Sequence, residues 1–358
     1  MKLAVFSTKP YDQAHLTAAL ERLQLDPAAA TVAPESIAIT YHALPLTPET
    51  APLAAGCAAV CVFVNDDLTS PRLLALLASL GVRLVLLRSA GYNNVDLPAA
   101  AAAGIAVANV PAYSPHAVAE FALALVMALN RKTHRAYNRS REGNFALDGL
   151  MGHTLHGKTV GLIGTGRIGL AMARIMRGLG CAVLACDPLR SQELLDIGGK
   201  YRALDELLAA SDVVSLHCPL QPGTRHIVND ATLAAMKPGA LLVNTSRGGL
   251  VDTKAVIRAL KSESLGGVAL DVYEGEAPLF YDDHSGQIIR DDVLMRLMTF
   301  HNVIVTGHQA FFTDEALTEI ADSTLRNLCQ FARDGTCANS LMGPDKPADL
   351  NSLPVRNV

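Results

Sequence analysis

From end to end the chain alternates short β-branched and aliphatic runs with Ala/Leu-rich stretches of helical character. Strands fed one after another through helices lie parallel, with helices covering both faces of the sheet. The expected class is α/β. In the first third the candidate strands are Lys2–Ser7, Ala38–Ala43, Ala58–Val64, Val82–Ala90 and Ile105–Pro111, with Pro71–Leu80 and Leu97–Gly104 reading as helices. A long helical stretch follows, from Ser114 as N-cap through Pro115 and Glu120 in the first turns to about Arg141, and is expected to connect two domains. A second series, Lys158–Gly164, Cys181–Asp187, Asp212–Pro219, Ala240–Ser246, Gly266–Val272 and Asn302–His308, supplies six strands, the count of a doubly wound sheet. A further helix spans about Thr313–Asp334; if it packs on the first strands, the first domain is discontinuous. The tail from Ala338 lacks periodicity and is expected to lie over the surface.

The 358 residues exceed one ordinary domain of roughly 100–200, so two domains or one large one is expected. With 50% hydrophobic and 18% charged residues and a net charge of -4, the composition excludes disorder and offers no general basic field for nucleic acid. The mean hydropathy is +0.25. Even so, the longest charge-free run, Leu97 to Ala119, is interrupted by Pro98, Asn109, Pro111, Pro115 and His116, so no membrane span is expected. Near the N-terminus only Leu3–Phe6 separate Lys2 from Ser7-Thr8-Lys9-Pro10, too short for a secretory core, and a cytoplasmic protein is expected. Seven cysteines lacking paired CxxC spacing read as reduced, mostly core thiols rather than a zinc site.

Gly164-Thr165-Gly166-Arg167-Ile168-Gly169 follows an apolar strand and opens the helical Leu170–Leu179. In such a turn Gly164 permits the tight bend, Gly166 lets backbone amides approach a pyrophosphate, and Gly169 lets the helix press on the strand. The helix N-terminus attracts phosphate charge. Asp187, at the end of the next strand, suits both ribose hydroxyls and repels a 2′-phosphate. NAD is therefore favoured over NADP, with Arg190 leaving the second open. The bland reading makes Asp187 a turn residue ahead of Pro188.

In open α/β sheets, ligands gather beyond the carboxyl ends of the strands. Ser89-Ala90-Gly91, His217-Cys218-Pro219, Thr245-Ser246-Arg247, Asp271 to Glu276 and Gly307-His308 all fall there. A guanidinium binds a carboxylate through two parallel hydrogen bonds, and an imidazole moves a proton near neutral pH. Those groups suit reduction of a 2-oxo acid. Taken singly, Arg247 could be a surface residue, Glu276 a loop charge, His308 a strand-end histidine and Phe311 plain core; His116, His217 and His301 are read as structural.

At these positions the chain resembles the D-isomer-specific 2-hydroxyacid dehydrogenases, through Gly164–Gly169, Val243–Gly248, Leu270–Glu276 and Thr306–Phe311. The likeness extends to Met1–Tyr11, Val60–Asp67, Arg88–Leu97, Val110–Glu120 and Asp212–Leu220, where it is to the lactate-forming branch. It implies an α/β protein of two domains, a Rossmann doubly wound parallel sheet over 113–307 and a smaller, discontinuous flavodoxin-like catalytic domain from 1–112 and 308–358. The implied reaction is reversible NADH-dependent reduction of pyruvate to D-lactate. Arg247 would bind the substrate carboxylate, assisted by the backbone of Ala90 and Gly91. His308 would be the acid/base with Glu276 against it, and Tyr113 and Phe311 would flank the substrate. The implied cofactor residues are Gly164, Gly166, Arg167, Ile168, Gly169, Asp187, Cys218, Pro219, Thr224, Thr245, Ser246, Arg247 and Asp271, with no metal. A homodimer or homotetramer is implied, and the helix Ser114–Arg141 with its extension to about Leu150 is the candidate interface. Other 2-oxo acids (glyoxylate, hydroxypyruvate, phenylpyruvate) and a non-catalytic NAD-sensing protein are the competing expectations.

Overall fold

The computed structural model describes residues 1–25, 37–277 and 279–342. These residues form two compact units, one of Met1–Ser114 with the chain from Phe312, the other of Pro115–Phe311. Tyr113 therefore falls in the first unit and His308 in the second, where the Asp271 carbonyl holds the His308 amide at 2.8 Å.

In the first unit β1 (Lys2–Val5), β2 (Ala38–Tyr41), β3 (Ala59–Val62), β4 (Leu84–Leu87) and β5 (Ala106–Ala108) form a parallel sheet in the order β2-β1-β3-β4-β5. That is the flavodoxin-like order. β3 and β4 are buried at every residue, and their sequences AVCV and LVLL run apolar without alternation because helices cover both faces. Leu16 and Ala19 of the helix Pro10–Leu25 and Leu325 and Leu328 of the helix Asp314–Asp334 pack with Leu3, Val5, Leu84 and Leu86 on one face. Leu73, Leu74 and Leu77 lie with Val60, Val62 and Val85 on the other. The C-terminal helix starts where Thr313 Oγ1 accepts the Ala316 amide and stops at Gly335, with φ 70°. The segment after it does not simply lie over the surface. Ser340 pairs antiparallel with Ala108, and the Leu341 amide donates to Val107 at 2.8 Å, adding an edge to β5. The remainder of the expected tail, from Gly343, lies outside the described residues.

The second unit holds β6 (Thr159–Ile163), β7 (Ala182–Cys186), β8 (Lys200–Tyr201), β9 (Val213–Leu216), β10 (Ala240–Asn244), β11 (Leu265–Leu270) and β12 (Val303–Val305). The sheet is parallel, ordered β12-β11-β10-β9-β6-β7-β8, with the switch point between β6 and β9. The expected six strands are joined by a seventh, β8, whose two residues are too few to show a period. The long connecting helix is also corrected. It runs Pro115–Arg131, breaks at Lys132 (φ 52°) and resumes as Thr133–Arg141. Ala119, Ala122, Val126 and Leu129 bury the first part, whereas the sequence THRAYNRSR of the second buries nothing. The apolar stripe that would hold one straight helix ends at Leu129.

Candidate active site

The glycine loop lies at the carboxyl end of β6. Gly164 has φ 99°, open to glycine at little steric cost, and a Cβ there would lie 2.6 Å from the Cys218 amide nitrogen. At Gly169 a Cβ would lie 2.2 Å from the Gly164 carbonyl oxygen, so only glycine lets the helix Arg167–Gly178 start this close to the strand. Gly166, its N-cap, has no atom within 4 Å of the Cβ position and is exposed, as is Arg167; Ile168 is half-buried. Open amides at a helix N-terminus suit a phosphate group. Asp187 Oδ2 accepts the Thr165 amide at 2.6 Å and its hydroxyl at 3.1 Å, while Oδ1 accepts the Leu189 amide at 2.8 Å. The acid at the end of β7 thus ties itself to the glycine loop. Tyr201 on β8, which sequence reasoning did not single out, meets Thr165 Oγ1 at 2.9 Å and accepts the Ser191 amide. The Arg190 guanidinium lies 5.7 Å from its ring.

Beyond β9, burial pushes the Cys218 thiol up to about 12, and its side chain lies in the core cluster with Leu216 and Leu242. Thr224 Oγ1 donates to the Pro219 carbonyl at 2.7 Å and accepts the Gln221 amide, so it shapes its own turn. Ser246 Oγ donates to the Cys218 carbonyl at 2.7 Å, fastening the end of β10 to that of β9. Thr245 Oγ1 is buried with no hydrogen-bond partner among the described residues, a donor and acceptor that a bound polar ligand would satisfy. Asn244 folds the next turn, its Nδ2 donating to the Arg247 carbonyl at 2.8 Å and its Oδ1 accepting the Ser246 amide at 3.0 Å. Arg247 is half-buried in extended backbone and donates to the Ser246 carbonyl. Gly248 brings this turn against the next loop, since a Cβ there would lie 2.1 Å from the Tyr273 carbonyl carbon.

Asp271, after β11, is fully buried. Its carboxylate accepts the Thr306 hydroxyl and the amides of Gln309 at 3.0 Å and Ala310 at 2.8 Å. Burial pushes this carboxyl above its usual range, against the downward pull of those donors and of His308. Its oxygens hold the 306–310 loop in place. In that loop His308 has φ 54°, a left-handed conformation costly for a non-glycine residue. Its Nδ1 donates to Glu276 Oε1 at 2.9 Å, which fixes the tautomer and leaves Nε2 for another partner. Glu276 Oε2 accepts the Tyr273 amide at 2.8 Å. Tyr281, another residue the sequence did not single out, places its ring 5.9 Å from that of His308.

A chain of contacts therefore runs along one edge of the sheet, from Gly164 to Cys218, Ser246, Arg247-Gly248, Tyr273 and finally Asp271 with His308. Guanidinium, carboxylate-backed imidazole and glycine loop share that edge, as reduction of a 2-oxo acid requires. Phe311, at its end, is buried. In the first unit Ala90 and Gly91 follow β4, with their carbonyls held by Asn109 Nδ2 and Ser89 Oγ and neither amide donating among the described residues. Arg88, buried ahead of them, pairs with Asp12 at 3.4 Å and donates to the Phe6 and Ser7 carbonyls. Tyr113 is half-buried near the end of that unit. Among the described residues no cluster of His, Cys, Asp and Glu suits a metal ion, and no helix is long and apolar enough to cross a membrane.

The family model for the D-isomer specific 2-hydroxyacid dehydrogenase NAD binding domain matches residues 123–310. The chain is 60% identical over 342 residues to 2-hydroxyacid dehydrogenase A of Aspergillus oryzae, covering 96% of this chain and 95% of that one. It is 48% identical to D-lactate dehydrogenase of Escherichia coli, over 96% and 100% of the two chains. The solved apo-structure of the E. coli enzyme superposes with a TM-score of 0.85 at 47% identity, covering 96% of this chain and 100% of that one. A structure of the pyruvate reductase of Chlamydomonas reinhardtii matches with a TM-score of 0.85 at 40% identity, over 93% and 97% of the chains.

Proposed function

Because this chain belongs to the D-isomer-specific 2-hydroxyacid dehydrogenases, NAD-dependent oxidoreductases, we propose that it reduces pyruvate to D-lactate and runs the reaction in reverse. The observation that carries the reading is the Glu276–His308 hydrogen bond, on the same sheet edge as Arg247.

The glycine loop, Asp187 and the unpartnered Thr245 hydroxyl fit a dinucleotide. When bound, NADH supplies the hydride that the keto carbon takes. Arg247 binds the substrate carboxylate through paired charge-assisted hydrogen bonds and polarises the keto oxygen. His308 Nε2 delivers a proton to that oxygen, and Glu276 at Nδ1 orients the ring toward it. In the oxidative direction neutral His308 takes the hydroxyl proton. The open amides of Ala90 and Gly91 are assigned to the carboxylate, and Tyr113 and Phe311 to the apolar end of a small substrate. The free thiols of Cys57, Cys61, Cys181, Cys186, Cys218 and Cys329 suit a reducing, cytoplasmic setting. Tyr137, Phe145, Leu147 and Met151 are 60–84% exposed along one stretch, in keeping with a homo-oligomer.

The test supplies NADH with pyruvate, glyoxylate, hydroxypyruvate and phenylpyruvate and determines the chirality of each product. Pyruvate is expected to give the highest kcat/KM and D-lactate alone. A strong preference for another acid would replace the substrate, an L-product would refute the stereochemistry, and absence of turnover with all four would favour the NAD-sensing alternative.

A further inference from the structure

A cavity of about 410 Å³ opens at the opposite edge of the seven-stranded sheet, beside the amino-terminal ends of β6, β9, β10 and β11. Lys132, Lys158 and Lys237 line it together with His153 and a single acid, Asp212. The acid is engaged already, with Oδ2 accepting the Thr159 amide at 2.8 Å and Oδ1 accepting Lys237 Nζ at 3.1 Å. Burial opposes its charge, but the Thr159 amide and the Lys237 and Lys158 ammonium groups outweigh that and hold the carboxyl below its usual range. It stays ionised, so three ammonium groups face one carboxylate and the wall is cationic near neutral pH. Lys132 Nζ gives one N–H to the Met151 carbonyl at 2.8 Å, and the Lys158 ammonium makes no hydrogen bond among the described residues. Most of the ammonium donors thus lack a protein acceptor.

The wall is also held in shape. Asn130 Nδ2 donates to the His153 carbonyl at 2.8 Å, and the His153 amide returns a bond to Asn130 Oδ1 at 2.9 Å. Between them Gly152 leaves no room for a side chain, as its Cβ would lie 2.4 Å from the Asn130 carbonyl oxygen.

We propose that this cavity is a second ligand site, separate from the nucleotide, that takes a small phosphorylated anion carrying two or more negative charges. Ammonium groups act as point charges that approach a tetrahedral phosphate from several directions, whereas planar carboxylates favour the arginine fork, which this wall lacks. Its volume falls in the ~300–1,000 Å³ range of small-molecule sites.

The experiment is calorimetric titration of the full-length protein saturated with NADH, so that the nucleotide's own phosphate cradle is filled. Inorganic pyrophosphate, glycerol 3-phosphate and citrate are compared at matched ionic strength. At least one phosphate compound should bind saturably at one equivalent per chain, and more tightly than citrate. The pyrophosphate and glycerol phosphate arms tell a diphosphate from a monoester. Lys158→Gln, which breaks no hydrogen bond, and the double variant with Lys237→Gln should weaken that binding about tenfold or more, with kcat and NADH affinity unchanged. The proposal is overturned if neither phosphate compound binds, if citrate binds as tightly, or if both variants bind like the wild type. The last outcome would place the anion elsewhere, for instance at Arg247.

Discussion

Asp271→Asn changes one atom at the residue that holds the 306–310 loop. The native carboxylate, sealed from solvent, takes three hydrogen bonds, from the Thr306 hydroxyl and the Gln309 and Ala310 amides. The asparagine does best by keeping its oxygen toward Thr306 and Gln309, which turns its NH2 on the Ala310 amide 2.8 Å from the present acceptor. Losing one charge-assisted bond costs about 1.5–3 kcal/mol, and the donor left facing a donor adds about 1–3 kcal/mol. Relief from burying a charge offsets part, since burial already pushes this carboxyl upward. A net loss of about 2–3 kcal/mol is expected in urea unfolding. Activity should suffer more, because a shift of about 1 Å in a catalytic group costs about 100-fold in rate. In an NADH-oxidation assay with pyruvate, kcat should fall by that order while KM changes little. A variant with wild-type unfolding and kcat within twofold of normal would refute the idea that Asp271 places His308.

Three further outcomes follow from the site. Arg247→Gln should raise the KM for pyruvate at least tenfold, as a charged hydrogen bond contributes about 1.5–3 kcal/mol; an unchanged KM would remove Arg247 from substrate binding. Asp187→Ala should move the ratio of NADH to NADPH specificity constants toward NADPH and weaken NADH binding, since the Thr165 amide loses its acceptor; a ratio like that of the wild type would contradict the ribose role. Burial pushes the His217 imidazole down to about 4. The unfolded chain takes that proton below about 6.5 and the folded chain does not, so stability should fall with decreasing pH from about 6.5 to 4, by up to about 3 kcal/mol in all. His217→Asn should flatten that part of a stability-versus-pH curve, and an unchanged slope would show that the ring takes up its proton while folded.

Local steric demands left clear marks in the sequence. Each glycine of Gly164–Gly169 answers a distance of a few ångströms or an open helix end, so letters alone pointed to that turn. Long buried strands such as LVLL announced themselves as unbroken apolar runs. What stayed hidden depends on neighbours distant in the chain. Asp271 finds its partners 35 to 39 residues later because β11 and β12 lie side by side. Tyr201 reaches Thr165 across β7 and β8, and no local pattern forecasts either contact. The break at Lys132 was masked because Arg, Lys and Ala all favour helix, and only loss of the buried stripe ends the first segment.

The left-handed backbone at His308 gives this protein a built-in order of failure. A non-glycine residue in that conformation stores about 1–3 kcal/mol, released as soon as its restraints loosen. The residue proposed as the proton donor thus rests on a spring compressed by the Asp271 knot, whereas the sheet beneath has no such reason to move. On heating, turnover should fade at temperatures where circular dichroism still reports intact helices, so the enzyme goes silent before it melts.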